Sequence, residues 1–217
     1  MTIAAVTWDA VGTLVVPQPS VGAIYAEIAS RHGISADATE LAARFPEAFR
    51  AVRDAWPVPY GRDEKDALRF WAQVIEGTFA ESLPFELICD LFDAFARAPR
   101  WRVLPGVVDA LALISARGLP QAVVSNYDGR LLRLIGELRL GPFVAVVTSA
   151  SVGQAKPDPA ALYAAARQLQ VAPQAILHIG DHPREDGEMC RRSGARFLQI
   201  GPDGLCVQAL TQALESA

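Results

Sequence analysis

Val6-Thr7-Trp8-Asp9-Ala10-Val11-Gly12-Thr13-Leu14 reads as a strand that stops at an acid. Residues 3–8 are short, mostly apolar and rich in β-branched side chains, and the Gly-Thr turn after Asp9 ends the run. In an open α/β sheet, a side chain at the carboxyl end of a strand faces the ligand crevice. Asp9 is therefore the candidate nucleophile. An aspartate at a strand end also forms turns with its own backbone, and this stretch alone favours that plainer role. Three later stretches reverse the balance.

Beyond residue 104, strand and helix alternate. Residues 121–125, 143–148, 175–179 and 196–200 read as strands. Helices fall at 130–138, 159–168 and 184–193, after one that Pro105-Gly106 opens and Gly118 closes, and a last one lies near 205–214. Repeated β-α units imply an α/β fold with a parallel sheet and helices on both faces. Residues 17–100 read differently, as helices with no strand signal between them. Ser20 caps the first and Gly33 closes it; a second runs from about 35–37 towards Trp56, with Pro46 as a potential kink. A third carries Leu68, Trp71 and Val74, and a fourth follows Pro84. The expected organisation is a core of 1–16 and 101–217 with a small all-helical domain, 17–100, inserted after the first strand. Phe45, Trp56 and Trp71 sit at helical spacing, which favours the insertion's own core over a substrate pocket.

The 217 residues are 51% hydrophobic and 20% charged, with a formal net charge of −4 and no basic tract. That composition argues against a nucleic-acid partner. Without a cationic leader or a long uncharged apolar run, the expectation is a soluble cytoplasmic protein with no membrane partner. Cys89, Cys190 and Cys206 are odd in number and widely spaced, unlike a disulfide or zinc framework. Lys65 and Lys156 are the only lysines, so a lysine in a motif-like place is informative.

Ser125-Asn126 ends a strand just before a helix, where hydroxyl, amide and backbone donors hold an anionic oxygen. The same pair serves equally well as a helix cap. Lys156 lies in Gln154-Ala155-Lys156-Pro157-Asp158-Pro159, with Pro157 restricting it and Pro159 suited to a first helical turn. An ammonium held there bridges a nucleophilic carboxylate and a phosphate oxygen and keeps Asp9 ionised. Ile176 to Gly180 then runs into Asp181, with Asp186 five residues on. Carboxylates at two strand ends share a hard cation, and Mg2+ accepts one or two of them with substrate oxygens and water. Asp9 and Asp181 make that pair, while Asp186 orients water or Lys156 behind them.

Together the four stretches resemble the haloacid dehalogenase (HAD) superfamily, whose motifs are a nucleophilic Asp, a Ser or Thr, a Lys, and a Gly-Asp followed by another Asp. The resemblance spans the chain and is nearest to the phosphatase-like and dehalogenase-like branch of subfamily IA. It implies a HAD-like Rossmannoid sheet with a helical class I cap, catalytic Asp9 and Lys156, and phosphate binding by Ser125, Asn126 and Lys156. It further implies Mg2+ at Asp9, the Val11 carbonyl, Asp181 and Asp186, and a small anionic substrate, a phosphorylated metabolite, for a monomer or homodimer. Family phosphatases carry Asp-x-Asp-x-Thr, the second Asp being the acid-base group; Val11 stands there instead. Family dehalogenases also lack that Asp, but usually show Tyr at this place and lack the Gly-Asp ligand kept as Asp181. Three readings stay open: a metal-dependent phosphatase using good leaving groups or an acid borrowed from His182 or Asp128, a metal-free dehalogenase, and a weakly active phosphate-binding protein. A cap-lysine mechanism is disfavoured, because charged neighbours put Lys65 on a solvated face.

Overall fold

Every residue of Ala5–Trp8 (β1) is buried, which requires pairing on both edges and packed layers on both faces. The computed structural model, which describes residues 2–56 and 58–215, provides both. After β1 come β2 (Val15–Pro17), α1 (Val21–Arg31), α2 (Ala38–Ala55), α3 (Glu64–Phe79), α4 (Phe85–Ala94), β3 (Trp101–Val103) and α5 (Val107–Ala116). The chain continues through β4 (Gln121–Ser125), α6 (Arg130–Glu137), β5 (Ala145–Thr148), α7 (Ser149–Val152) and α8 (Ala160–Leu169). It closes with β6 (Ile176–Gly180), α9 (Glu188–Ser193), β7 (Arg196–Gln199) and α10 (Val207–Glu215).

The main sheet has the order β5-β4-β1-β6-β7 and is parallel throughout. Trp8 registers with Val123 on one side and Ile179 on the other. The carboxyl ends of β1, β4 and β6 therefore reach one edge together, and Asp9, Ser125 and Asp181 follow from them. Alternate side chains divide between two cores, as period-2 strands demand. Val6, Trp8, Val123 and Leu177 pack with Leu111 and Leu131, whereas Ala5, Ala122, Val124 and Ile176 pack with Leu162 and Met189. Trp8 is fully buried and donates its Nε1–H to Gln121 Oε1 at 3.0 Å.

Helices α1 to α3 form where polar residues satisfy their first turns: Ser20, Asp37 and Asp63 each accept a backbone N–H three residues on, whereas α4 follows Pro84 without a side-chain cap. Their apolar faces meet in a separate cluster that includes Ile24, Leu41, Ile75 and Leu91. Pro46 lies inside α2, which continues to Ala55 instead of dividing there. Strands β2 and β3, which the sequence reading missed, pair antiparallel where the chain leaves for these helices and returns. Three residues each are too few to show an alternating pattern. The helix anticipated at 184–193 begins as a π-type turn, Pro183–Gly187, before α9. All three cysteines are free. No helix among the described residues is long and apolar enough to cross a membrane.

Candidate active site

Asp9 leaves β1 with only 7% of its surface exposed, and its Oδ1 accepts a hydrogen bond from Lys156 Nζ at 2.7 Å. The same ammonium donates to Asp186 Oδ1 at 2.5 Å and to the Val124 carbonyl at 3.4 Å. Burial by itself disfavours the ammonium, but Asp9 and Asp186 outweigh it and hold Lys156 above the ordinary lysine range. Asn126 fixes the lysine loop: its Oδ1 accepts from the Lys156 N–H at 2.7 Å, and its Nδ2 donates to the Lys156 carbonyl and to Glu185 Oε2. The amide, expected to hold phosphate, is thus engaged in positioning Lys156. Ser125, at the end of β4, lines the cavity beside Asp9 and Lys156.

Asp186 is fully buried, and its oxygens accept from Lys156, from His178 Nε2 at 3.1 Å and from the His182 N–H at 3.1 Å. A carboxylate only accepts, so Nε2 carries the His178 proton and Nδ1 faces the Thr7 hydroxyl at 2.9 Å. Thr7 and His178 escaped the sequence reading. Each is one polar residue in an apolar strand, and only the β1–β6 register pairs them.

Burial raises the Asp186 carboxyl, yet Lys156 and His178 prevail and hold it well below the usual carboxylate range. A depressed folded-state value stabilises the fold above the unfolded value of about 4, and the contribution disappears as pH falls below it. Urea unfolding followed from neutral pH downward should show stability falling once the pH passes below about 4, by roughly 2 to 3 kcal/mol for one well-paired aspartate. Asp186→Asn should flatten that limb; an unchanged acid limb would refute the assignment.

Asp181 is half-buried and accepts from Thr13 Oγ1 at 3.1 Å. Burial, followed by the charges of Asp9 and Asp186, raises its carboxyl above the ordinary range. Oxygens of Asp9, Asp181 and Asp186 lie within 4.8 Å of one another. Gly12, at φ +90°, lets the Asp181 carboxylate close in: a Cβ there would stand 2.5 Å from Oδ2. Gly180 likewise leaves room for Asp186.

A cavity of about 260 Å3 opens above Asp9. Asp9, Val11, Ser125, Asn126, Lys156 and Glu185 line its floor, and Tyr25, Phe45, Phe49, Tyr60, Trp71 and Phe95 line its walls. Phe45 and Trp71 thus line the pocket as well as packing among the helices, a correction to the core-only expectation; Trp56 packs edge-on against Phe70. Burial raises the Tyr25 and Tyr60 hydroxyls above the tyrosine range, so both stay protonated. Glu185, also missed, accepts from Arg53 Nη1 of α2 at 3.4 Å and so joins the insertion to the core.

Neither borrowed acid lines the cavity. Asp128 is buried, with its oxygens taken by Arg130 and by Trp71 Nε1 at 2.8 Å. His182 points outward and its Nδ1 accepts from the Glu185 N–H at 3.1 Å. Lys65 is exposed on α3, as its neighbours imply.

A family model described as haloacid dehalogenase-like hydrolase matches residues 3–194. The Bos taurus haloacid dehalogenase-like hydrolase domain-containing protein 3 is 33% identical over 208 residues, covering 92% of this chain and 82% of that protein. Among solved structures, a 2-haloacid dehalogenase from Pseudomonas syringae pv. Tomato superposes with a TM-score of 0.67 at 22% identity, covering 99% of each chain. A HAD phosphatase from Thermococcus onnurineus gives 0.66 at 21%, covering 99% of this chain and 98% of that one. At such identities the two structures establish the shared fold.

Proposed function

Because the chain belongs to the haloacid dehalogenase-like hydrolases, we propose that it is a Mg2+-dependent phosphatase of small phosphorylated molecules, working through an aspartyl-phosphate on Asp9. The observation that carries this reading is the Asp181 carboxylate beside a nucleophile already paired with Lys156. The donor set fits the ion: it is all oxygen, and Asp181 is pushed towards protonation first by burial and then by the charges of Asp9 and Asp186, which a cation would offset. Asp9, Asp181 and the Val11 carbonyl would hold Mg2+, with Asp186 behind them. Bound there, the ion would draw off charge developing on the phosphoryl oxygens.

This chain's own residues supply the rest. Lys156 pairs with the Asp9 carboxylate and, already fixed by Asn126 and Asp186, needs no reorganisation to offset transition-state charge. Ser125 meets a phosphoryl oxygen at the end of β4. Val11 contributes no proton, so the esters that react fastest are those whose leaving group needs none.

Carbon-halogen hydrolysis is the second reading, favoured by the apolar cavity walls. A haloacid carboxylate would meet no free cation among the described lining residues, however: Arg130 is paired with Asp128, and Lys156 with Asp9 and Asp186. Metal dependence separates the two. Chelation should stop phosphate release and Mg2+ restore it, and Asp181→Asn should raise the Mg2+ concentration required by about tenfold or more. Halide release from a 2-haloacid in the presence of chelator would replace this reading with the second.

A further inference from the structure

We infer that the preferred substrates are aryl phosphates, flat esters whose leaving oxygen is phenolic; this deepens the phosphatase reading and rests on it. Three independent features converge on that class.

The first is the shape and chemistry of the walls. Phe45 stacks on Phe49 with centroids 5.9 Å apart, and Phe49 stacks on Trp71 at 5.8 Å with 25° between the planes. Tyr60 and Tyr25 face the same space. Such walls favour a ring, which packs on aromatic faces at these spacings. A hollow of about 150 Å3 accommodates benzene, so about 260 Å3 leaves room for a ring together with the phosphoryl group over Asp9. A polyol chain would lose its water there and find few partners in return.

The second is charge. Among the described residues that line the cavity, the cations are Arg130 and Lys156, and carboxylates hold both. Glu185 adds a negative group at the floor, turned towards Asn126 and Arg53. A second carboxylate or phosphate on the substrate would meet no free cation and one like charge.

The third is the missing acid. Val11 lines the cavity where the family's proton donor would stand, while Asp128 and Glu185 are held by arginines. A phenol, with a pKa of about 10 against about 16 for water, leaves as the anion far more readily than an alkoxide. The aromatic pocket and the valine therefore select the same molecule.

The steps balance without an acid. An Asp9 carboxylate oxygen bonds to phosphorus as the bond from phosphorus to the aryl oxygen breaks, and the electron pair departs with the phenolate. Water then attacks the same phosphorus and frees Asp9, leaving inorganic phosphate. The proton that water gives up balances the one the phenolate takes from solvent.

The test uses the whole chain with Mg2+. Phosphate release is measured for substituted phenyl phosphates with leaving-group pKa values from about 5 to about 10, and for glycerol and hexose phosphates. Expected is kcat/KM falling steeply with leaving-group pKa, with phenyl phosphate ahead of both polyol esters by about a hundredfold or more. Val11→Asp should flatten the dependence and raise polyol-ester turnover about tenfold or more. Phe49→Leu should raise KM for the aryl esters while leaving kcat nearly unchanged. A flat dependence in the parent chain, or polyol esters equal to aryl ones, overturns the aryl assignment and leaves the phosphatase reading standing. No phosphate release from any ester overturns both.

Discussion

Replacing Asp9 by Asn should lower phosphate release by at least about four orders of magnitude while the chain stays folded. In the proposed mechanism the carboxylate is the group that bonds to phosphorus, and an amide of the same shape is far less nucleophilic. Folding survives because Lys156 keeps Asp186 and the Val124 carbonyl as acceptors after the change. Removing one of the three neighbouring carboxylates also lessens the repulsion that, after burial, raises Asp181. Steady-state phosphate release, with mass spectrometry of acid-quenched protein, reads both halves of the claim. Expected is a phosphoryl adduct on Asp9 of the parent chain during turnover and none on the variant. Activity above about a hundredth of the parent rate in the Asn variant would show that another group attacks.

Arg130→Met destabilises the fold by about 3 to 5 kcal/mol, a large share of the 5 to 15 kcal/mol by which a domain is ordinarily stable. Arg130 is 8% exposed and Asp128 is 1% exposed, and they pair through Nε at 2.9 Å and Nη2 at 2.7 Å. The guanidinium also donates to the Phe92 carbonyl and lies 3.7 Å from the centroid of the Phe92 ring. Asp128 in turn accepts from Trp71 Nε1. One ion pair therefore ties the loop after β4 to α3 and α4, and with them one wall of the cavity. Removing the arginine strands a buried carboxylate, which is where most of the penalty arises. The pair itself contributes less, because desolvating two charges consumes much of their attraction. Arg130→Met combined with Asp128→Leu should consequently recover a good part of the loss, as urea unfolding of both singles and the double will show. A single variant within about 1 kcal/mol of the parent would mean that water reaches the site and solvates the lone charge.

Much of this site is legible before folding is considered, and the limits are specific. Asp9, Ser125, Lys156 and Asp181 stand out because each stands at a strand end or lies in a proline-marked loop, features that local sequence records. Val11 stands out by being the wrong residue in a recognisable turn. Glu185 does not, since one more acid in an acidic loop carries no mark until Asn126 and Arg53 are seen to reach it. Asp128 and His182 show the opposite failure: both have chemistry that could supply a proton, but Asp128 is occupied by Arg130 and Trp71, and neither residue lines the cavity. Phe45 and Trp71 fit a helical apolar stripe, and the stripe says which face is buried without saying whether side chain or hollow lies opposite.

By itself the sequence determined the alternation of strands and helices, the helical block between residues 17 and 100, the acids and lysine at the strand ends, and the loss of the usual proton donor. These follow from periodicity, caps and turns, whose physics extends over a few residues. Only the tertiary structure decided what each polar group meets: Thr7 faces His178 across 171 positions of chain, and Lys156 reaches Asp9 across 147. Sheet register and helix docking set those meetings, and both are settled by packing the whole chain at once. No local pattern encodes them, which is why the candidate nucleophile could be picked out from four local stretches taken together and its surroundings could not.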